Sequence, residues 1–204
     1  MRTRLYLATA IFSLLALPVF SGRVPSQKKG GVVEETDSES LWTVKYAHCD
    51  YGFYVLLPEG FVGHSSLPFY PNHGFLVGLP DPTTVQPVSV EDSRFVSIRA
   101  EYNSTDSQSL NGIVDHLLDL TGRNKKGFKV IERQAVRFNN LQAIQFMVEY
   151  DSLNDVAIEN ETVVVRAGII YEIGMRTTKP SYLVDEGQLQ RIRAGFRFWK
   201  IHYC

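Results

Sequence analysis

A loop-rich stretch in the first half of the chain carries the residues that could do chemistry. His64 and Ser65 precede His73 and Asp81 in a segment, residues 61–93, that holds five prolines. Serine, histidine and aspartate together can form a hydrolase site, and two histidines with an aspartate can bind a metal ion. One alternative is therefore a metal-dependent or serine hydrolase centred on the loop between His64 and His73, with His64, His73 and Asp81 as metal ligands.

The local pattern around Ser65 does not complete a hydrolase motif. The run Gly63-His64-Ser65-Ser66-Leu67 begins like a nucleophile elbow, but Leu67 replaces the second glycine. That turn also needs a helix directly after it, whereas Pro68 and Pro71 follow. Loop histidines without a fixed spacing are usually solvated side chains. We therefore predict no catalytic residue, no cofactor and a protein that is not an enzyme.

The same loop carries a group of large apolar side chains. They are Phe69, Tyr70, Phe75 and Leu76. Exposed aromatic residues on a loop often anchor a protein partner. Alternatively, these side chains cover one open end of the hydrophobic core.

The first 40 residues indicate export. Residues 1–21 contain two arginines, an apolar run and small residues at the expected cleavage point, as in a secretory signal peptide. A membrane anchor is the alternative for this run. Residues 22–40 are polar and without apolar periodicity, which predicts a disordered leader. Residues 41–204 then form a single globular domain, periplasmic or secreted.

The cysteines and the charge fit this interpretation. Cys49 and Cys204 are the only cysteines, and an oxidising compartment favours a disulfide between them, although two thiols or an intermolecular bond are alternatives.

Without the signal peptide the chain has 19 basic and 22 acidic residues, so nucleic-acid binding has no electrostatic support. Asn103 and Asn160 stand in glycosylation patterns that matter only in a eukaryotic host.

Four consecutive strands dominate the second half of the chain. Residues 129–138 and 141–150 alternate apolar and polar side chains on either side of Asn139-Asn140, a pair suited to a two-residue hairpin turn. A polar connection, 152–160, leads to a second hairpin. Other predicted strands cover residues 42–46, 52–57, 74–79 and 94–102, and the second hairpin comprises residues 162–166 and 169–177.

Two helices accompany the strands. Residues 109–121 place apolar side chains at helical spacing after a predicted N-cap at Asp106 or Ser107. Residues 181–199 have a similar but less regular spacing, which Gly187 and Gly195 interrupt. Strands that arrive in clusters, with helices between and after them, predict an α+β fold with an antiparallel sheet meander flanked by two helices.

Several segments resemble the PsbP-like superfamily. The run Tyr-Gly-Phe-Tyr-Val-Leu-Leu-Pro-Glu-Gly-Phe at residues 51–61 is similar to the opening hairpin of that group. The helix 109–120, the strands around Asn139-Asn140, the strand 168–173 and the ending Gly-Phe-Arg-Phe at residues 195–198 agree with it in order and spacing. The resemblance implies an α/β/α sandwich. The chain departs from the group at Asn139-Asn140, where glycine is common, and in the proline-rich loop.

The resemblance also guides the functional prediction. The superfamily shares no catalytic residue, and its better understood members act as binding or assembly factors. The main hypothesis is accordingly an exported, non-enzymatic binding or assembly module of the cell envelope or extracellular space, without a membrane span after cleavage. Its expected partner is a protein, and a small ligand is the alternative. A purely structural envelope protein is a further alternative.

Overall fold

The described part of the chain folds into two antiparallel sheets and two helices. The computed structural model describes residues 41–42, 45–64, 73–79, 94–105, 107–153 and 155–199. The predicted signal peptide and leader lie outside these residues. The elements are β1 (Leu41–Trp42), β2 (Lys45–His48), β3 (Phe53–Leu56), β4 (Gly63–His64), β5 (Gly74–Gly78), β6 (Phe95–Tyr102), α1 (Leu110–Gly122), β7 (Lys129–Phe138), β8 (Leu141–Asp151), β9 (Val156–Arg166), β10 (Ile169–Thr178), α2 (Tyr182–Gly195) and β11 (Phe196–Phe198).

The larger sheet contains the predicted meander. Its eight strands have the order β1-β4-β5-β6-β10-β9-β8-β7, and the smaller sheet has the order β11-β3-β2. All neighbouring strands are antiparallel. Asn139 and Asn140 have φ angles of 48° and 65°, and Ala167 and Gly168 have 53° and 77°, which is the left-handed conformation that tight hairpin turns require. The prediction of four consecutive antiparallel strands is confirmed.

Consecutive residues of the central strands belong to two separate apolar clusters. On β10, Ile170 packs with α1, whereas Ile169 and Tyr171 belong to the cluster that contains residues of α2. Successive strand residues point to opposite faces of a sheet, so the two clusters lie on opposite faces. Helix α1 contributes Ile113, Val114 and Leu117 to its cluster, as its apolar spacing predicts.

The smaller sheet contributes residues to the same apolar cluster as α2, and the end of α2 leads directly into it. Strand β11 follows α2 directly and pairs with β3, with Phe196 opposite Val55. A Cβ atom at Gly195 would lie 2.1 Å from the carbonyl oxygen of Leu56. Only glycine allows the helix to meet β3 this closely, because any side chain would overlap the strand backbone.

Three local predictions differ from the structure, and one short strand was not predicted. Ser109 caps α1, accepting a hydrogen bond from the Gly112 amide at 3.1 Å, in place of Asp106 or Ser107. Part of the predicted polar connection 152–160 is strand, because β9 already begins at Val156 and pairs with β8. The second helix ends at Gly195, and β11 replaces its predicted last turn. Strand β4 was not predicted, since its two residues show no alternation.

Candidate functional site

Only His64 and His73 of the predicted chemical site lie within the described part of the chain. His64 lies on β4 opposite Leu76, and the ring of His73 packs against Tyr51 with a centroid distance of 5.2 Å. Ser65 and Asp81 lie outside the described residues. Within the described part of the chain, no three histidine, cysteine, aspartate or glutamate side chains are arranged to hold a metal ion. The metal site and the hydrolase alternative therefore stay predictions.

The predicted partner-binding residues fall into two groups. Phe75 and Leu76 are on β5 with 2% and 3% of their surfaces exposed, so these two side chains belong to the core and do not form a contact surface. Their burial agrees with the alternative that they cover the core. Phe69 and Tyr70 lie outside the described residues, and their role stays a prediction.

Three further predicted positions can be placed. Cys49 is half-buried in the turn between β2 and β3, but Cys204 lies outside the described residues, so their disulfide stays a prediction. Asn160 is 2% exposed, and its amide bonds to the hydroxyl of Tyr182 at 3.1 Å. The folded domain thus keeps this glycosylation pattern inaccessible. Asn103 is half-buried and donates to the carbonyl oxygen of Ser107 at 3.0 Å.

Strand β7 forms an exposed surface that the sequence did not predict. It has ten residues, pairs only with β8 among the described strands, and ends the larger sheet. All its residues except Val136 and Phe138 are exposed, so the predicted half-buried ladder holds for β8 but not for β7. A bulge interrupts the pairing between Val130 and Glu132.

A groove of about 810 Å³ runs between β7 and the first turn of α1. Its lining includes Arg133 and Arg137 from β7 and Ser109 from the N-cap. Arg133 reaches across to α1, forming an ion pair with Asp115 and a hydrogen bond to Oδ1 of Asn111 at 3.0 Å. The first turn of α1 contains no acidic residue that would neutralise its exposed amides. The groove is therefore basic in character.

A second, smaller cavity lies between the C-terminal end of α1 and the larger sheet. It measures about 310 Å³, and we call it the charged cavity. Arg99 pairs with Glu172 at 2.5 Å, and Lys125 pairs with both oxygens of Glu159 at 2.7 Å. The lining residues are Phe95, Ser97, Arg99, Leu120, Thr121, Asn124, Lys125, Glu159, Glu161, Met175 and Arg176.

Among the acidic residues that line the charged cavity, Glu161 has a shifted pKa. Burial, followed by the negative charge of Glu172, raises the pKa of Glu161 from the ordinary 4.5 to about 8. Glu159 acts in the same direction, whereas Arg99 and Lys125 oppose it. A carboxyl group with a raised pKa in a cleft is a candidate for a functional site.

The raised pKa of Glu161 predicts a pH-dependent stability. Between pH 4.5 and pH 8 the folded protein binds more protons at this carboxyl than the unfolded chain, so the free energy of unfolding falls as the pH rises. We expect the wild type to lose about 1–3 kcal/mol relative to Glu161→Gln across this range. Urea denaturation of both proteins at several pH values measures the difference. Parallel pH profiles would contradict the prediction.

Comparison with solved structures identifies the fold. Cyanobacterial PsbP (CyanoP) from Synechocystis sp. PCC 6803 matches with a TM-score of 0.55 and 12% identity, covering 83% of this chain and 98% of that one. LpqN of Mycobacterium tuberculosis, involved in cell envelope biogenesis, has a TM-score of 0.54 and 12% identity over 78% and 92% of the two chains. The Ran-binding protein Mog1p of Saccharomyces cerevisiae matches with a TM-score of 0.51 and 12% identity, covering 78% of this chain and 96% of that one.

These likenesses show that the chain has the PsbP-like α+β fold, which confirms the resemblance drawn from its residues. No protein-family model and no curated protein matches the sequence. At 12% identity the likeness shows the fold alone, so function must be argued from the surfaces described above. No helix in the described ranges has the length and apolar character needed to cross a membrane.

Proposed function

We propose that this protein is a non-enzymatic binding module that takes up an extended, acidic segment of a partner protein along β7. The exposed outer edge of that ten-residue strand is the observation that carries the proposal. Two solved structures with this fold are a Ran-binding protein and a protein involved in cell envelope biogenesis, which supports a binding or assembly role. A binding function of this kind involves no reaction on a bound substrate.

Backbone chemistry supports a strand as the occupant. Every second residue of β7 directs its amide and carbonyl groups away from β8, and no other described backbone segment pairs with them. A row of such groups is a template for an added strand, which supplies the missing hydrogen bonds. The exposed side chains of Val130 and Ile131, with 46% and 47% of their surfaces accessible, can contact alternate apolar residues of that strand.

The basic residues of β7 favour an acidic partner segment. Strand β7 carries Lys129, Arg133 and Arg137 against the single acidic Glu132, in a chain whose formal net charge is −1. Lys129 and Arg133 form partly exposed ion pairs with Glu149 and Asp115, which water screens, whereas Arg137 forms no ion pair with a described residue. The basic groove lies beside the same strand. Two copies of β7 would place like charges together, which disfavours self-pairing and favours an acidic partner.

The cellular setting belongs to the same proposal. We infer that residues 1–21 direct export and that the mature module works in the periplasm or outside the cell. We also infer a three-layer α/β/α sandwich, with α1 covering one face of the larger sheet and α2 with the smaller sheet covering the other. The two apolar clusters on opposite faces support this arrangement.

A synthetic strand tests the binding mode. We expect an acetylated, amidated hexapeptide of alternating glutamate and valine to slow hydrogen exchange at alternate amides of β7, because the added strand takes up those donors. NMR of the labelled protein measures exchange residue by residue. A peptide with lysine in place of glutamate should bind roughly tenfold more weakly, since it meets like charges.

Variants of the protein supply the control. The double substitution Lys129→Glu and Arg137→Glu should lower the affinity for the glutamate peptide by about tenfold. The matched variant, Arg191→Glu and Arg197→Glu, makes the same change in net charge at exposed residues of α2 and β11 and should bind like the wild type. Equal affinity for both peptides, or protection confined to another element, would overturn the proposal.

A further inference from the structure

The outer edge of β7 has a defined chemistry between Arg133 and Arg137. Phe138 and Leu141 pair on either side of the two-residue turn, and residues that close such a turn bond to each other through both backbone groups. Because the bonding alternates along the strand, Arg133, Ala135 and Arg137 direct their amide and carbonyl groups away from β8. The side chains of alternate residues share one face of the sheet, so these three side chains lie on the same face.

That face is the one that α1 covers. Arg133 forms an ion pair with Asp115 of α1, and Arg133, Ala135 and Arg137 all line the basic groove. Arg137 donates to the carbonyl oxygen of Asn140 at 3.4 Å and forms no ion pair with a described residue. A strand added at this edge therefore places alternate side chains beside the groove, opposite two arginines four positions apart.

The predicted leader, outside the described residues, contains a sequence with the matching pattern. Residues 32–40, which we call the acidic segment, read Val-Val-Glu-Glu-Thr-Asp-Ser-Glu-Ser. Glu35, Asp37 and Glu39 occupy alternate positions, so in an extended strand their carboxylates point to one side. Their spacing is that of the three β7 residues on the groove side. Opposite charges directly across neighbouring strands attract each other.

The acidic segment cannot reach β7 of its own chain. It ends directly before Leu41, the first residue of β1, and β1 and β7 form opposite edges of the larger sheet. Neighbouring strands lie about 4.8 Å apart, so the eight-stranded sheet is roughly 34 Å wide. An extended chain covers about 3.4 Å per residue, which takes Glu35 only roughly 20 Å from Leu41 and Glu39 only roughly 7 Å. The β7 edge within its reach is that of a second copy.

The earlier part of the leader is long enough to reach β7 of its own chain but has the wrong charge. Residues 22–31 contain Arg23, Lys28 and Lys29 and no acidic residue. Like charges on neighbouring strands repel each other. Pro25 also has no amide hydrogen for a strand ladder. Charge and reach together favour pairing between two copies over pairing within one chain.

We propose that the acidic segment of one copy adds as a strand to β7 of a second copy. Glu35 and Glu39 then face the two arginines of the groove, and Asp37 lies between them. This inference rests on the function proposed for β7 and names a second copy as the partner. Ordering a polar segment costs conformational entropy, so the contact is reversible and depends on protein concentration.

Sedimentation equilibrium of the purified protein tests the self-association. We expect reversible association between about 10 µM and about 1 mM protein. The leader variant, Glu35→Arg and Glu39→Arg, should lower the affinity at least about tenfold, since it places like charges across the pair. The matched variant, Asp50→Arg and Glu59→Arg, makes the same change in net charge at exposed residues on either side of β3 and should associate like the wild type.

An exchange of charges identifies the two surfaces. The β7 variant, Arg133→Glu and Arg137→Glu, should lose self-association as the leader variant does. A mixture of the two variants should associate, because the acidic segment of the β7 variant fits the unchanged β7 of the leader variant. A wild type that stays monomeric, undiminished association of either variant alone, or a mixture that does not associate would overturn the proposal.

A peptide separates this inference from the function on which it rests. The acetylated, amidated peptide of residues 32–40 should dissociate the wild-type oligomer and slow hydrogen exchange at the amides of Arg133, Ala135 and Arg137. Protection of these amides by the glutamate–valine hexapeptide but not by this peptide would overturn the self-association and leave the proposed function intact. Protection by neither peptide would overturn both.

Discussion

Replacing Asp185 by alanine is expected to lower the free energy of unfolding by about 3–5 kcal/mol. The side chain of Asp185 is 1% exposed and accepts a hydrogen bond from Nε of Arg94 at 2.7 Å. Nη2 of Arg94 and the hydroxyl of Thr177 donate to the same carboxylate. The substitution removes the carboxylate that the largely buried Arg94 guanidinium and the Thr177 hydroxyl share, and removing one partner of a buried ion pair is costly.

Urea denaturation of the two proteins measures the loss, and an exposed ion pair provides the control. Asp119 and Arg123 have 58% and 62% of their side chains exposed and form a pair one helical turn apart. Asp119→Ala should cost about 0.5 kcal/mol or less, because water screens the pair. A loss for Asp185→Ala that is no larger than the loss for Asp119→Ala would contradict the prediction.

Replacing Phe196 by alanine is expected to cost a similar amount, about 3–5 kcal/mol. Phe196 is fully buried and stacks on Phe53 with a centroid distance of 5.4 Å and an interplanar angle of 11°. It also contacts the rings of Phe138 at 5.3 Å and Tyr171 at 6.3 Å. Its removal therefore creates a cavity at the place where the two sheets meet.

Denaturation of Phe196→Ala, Phe53→Ala and the double variant tests this contact. The two single losses should add up to more than the loss in the double variant, because each substitution removes the same stacking. Tyr102→Ala, at a position 64% exposed, serves as the control and should change stability by about 0.5 kcal/mol or less. Strict additivity of the two core variants would show that the rings do not act as a unit.

The long elements were predictable because their patterns are local. Alternation on either side of Asn139-Asn140 defines β7 and β8, and helical spacing defines α1. The end of α2 was not predictable in the same way. Residues 196–198 become strand β11 only because β3, more than a hundred positions earlier in the chain, supplies their hydrogen bonds. Pairing at that distance leaves no periodic signal of its own.

The functional surfaces were less predictable for a related reason. Alternation in residues 129–138 is the same for an inner and an edge strand, and only the basic residues Lys129, Arg133 and Arg137 hint at an edge. The charged cavity combines Arg99, Glu161 and residues after α1, which the sequence separates widely. Charged residues within otherwise apolar strands were the available signal for it.

The two ends of the larger sheet differ greatly in length. At one end β7 has ten residues, whereas β1 at the other end has two. A strand added to β7 can form a ladder along up to ten residues, whereas the described residues of β1 offer a ladder of two. Among the described strands of the larger sheet, the edge at β7 is therefore by far the longer template for an added strand, which is why the proposed partner segment is assigned to β7 and not to β1.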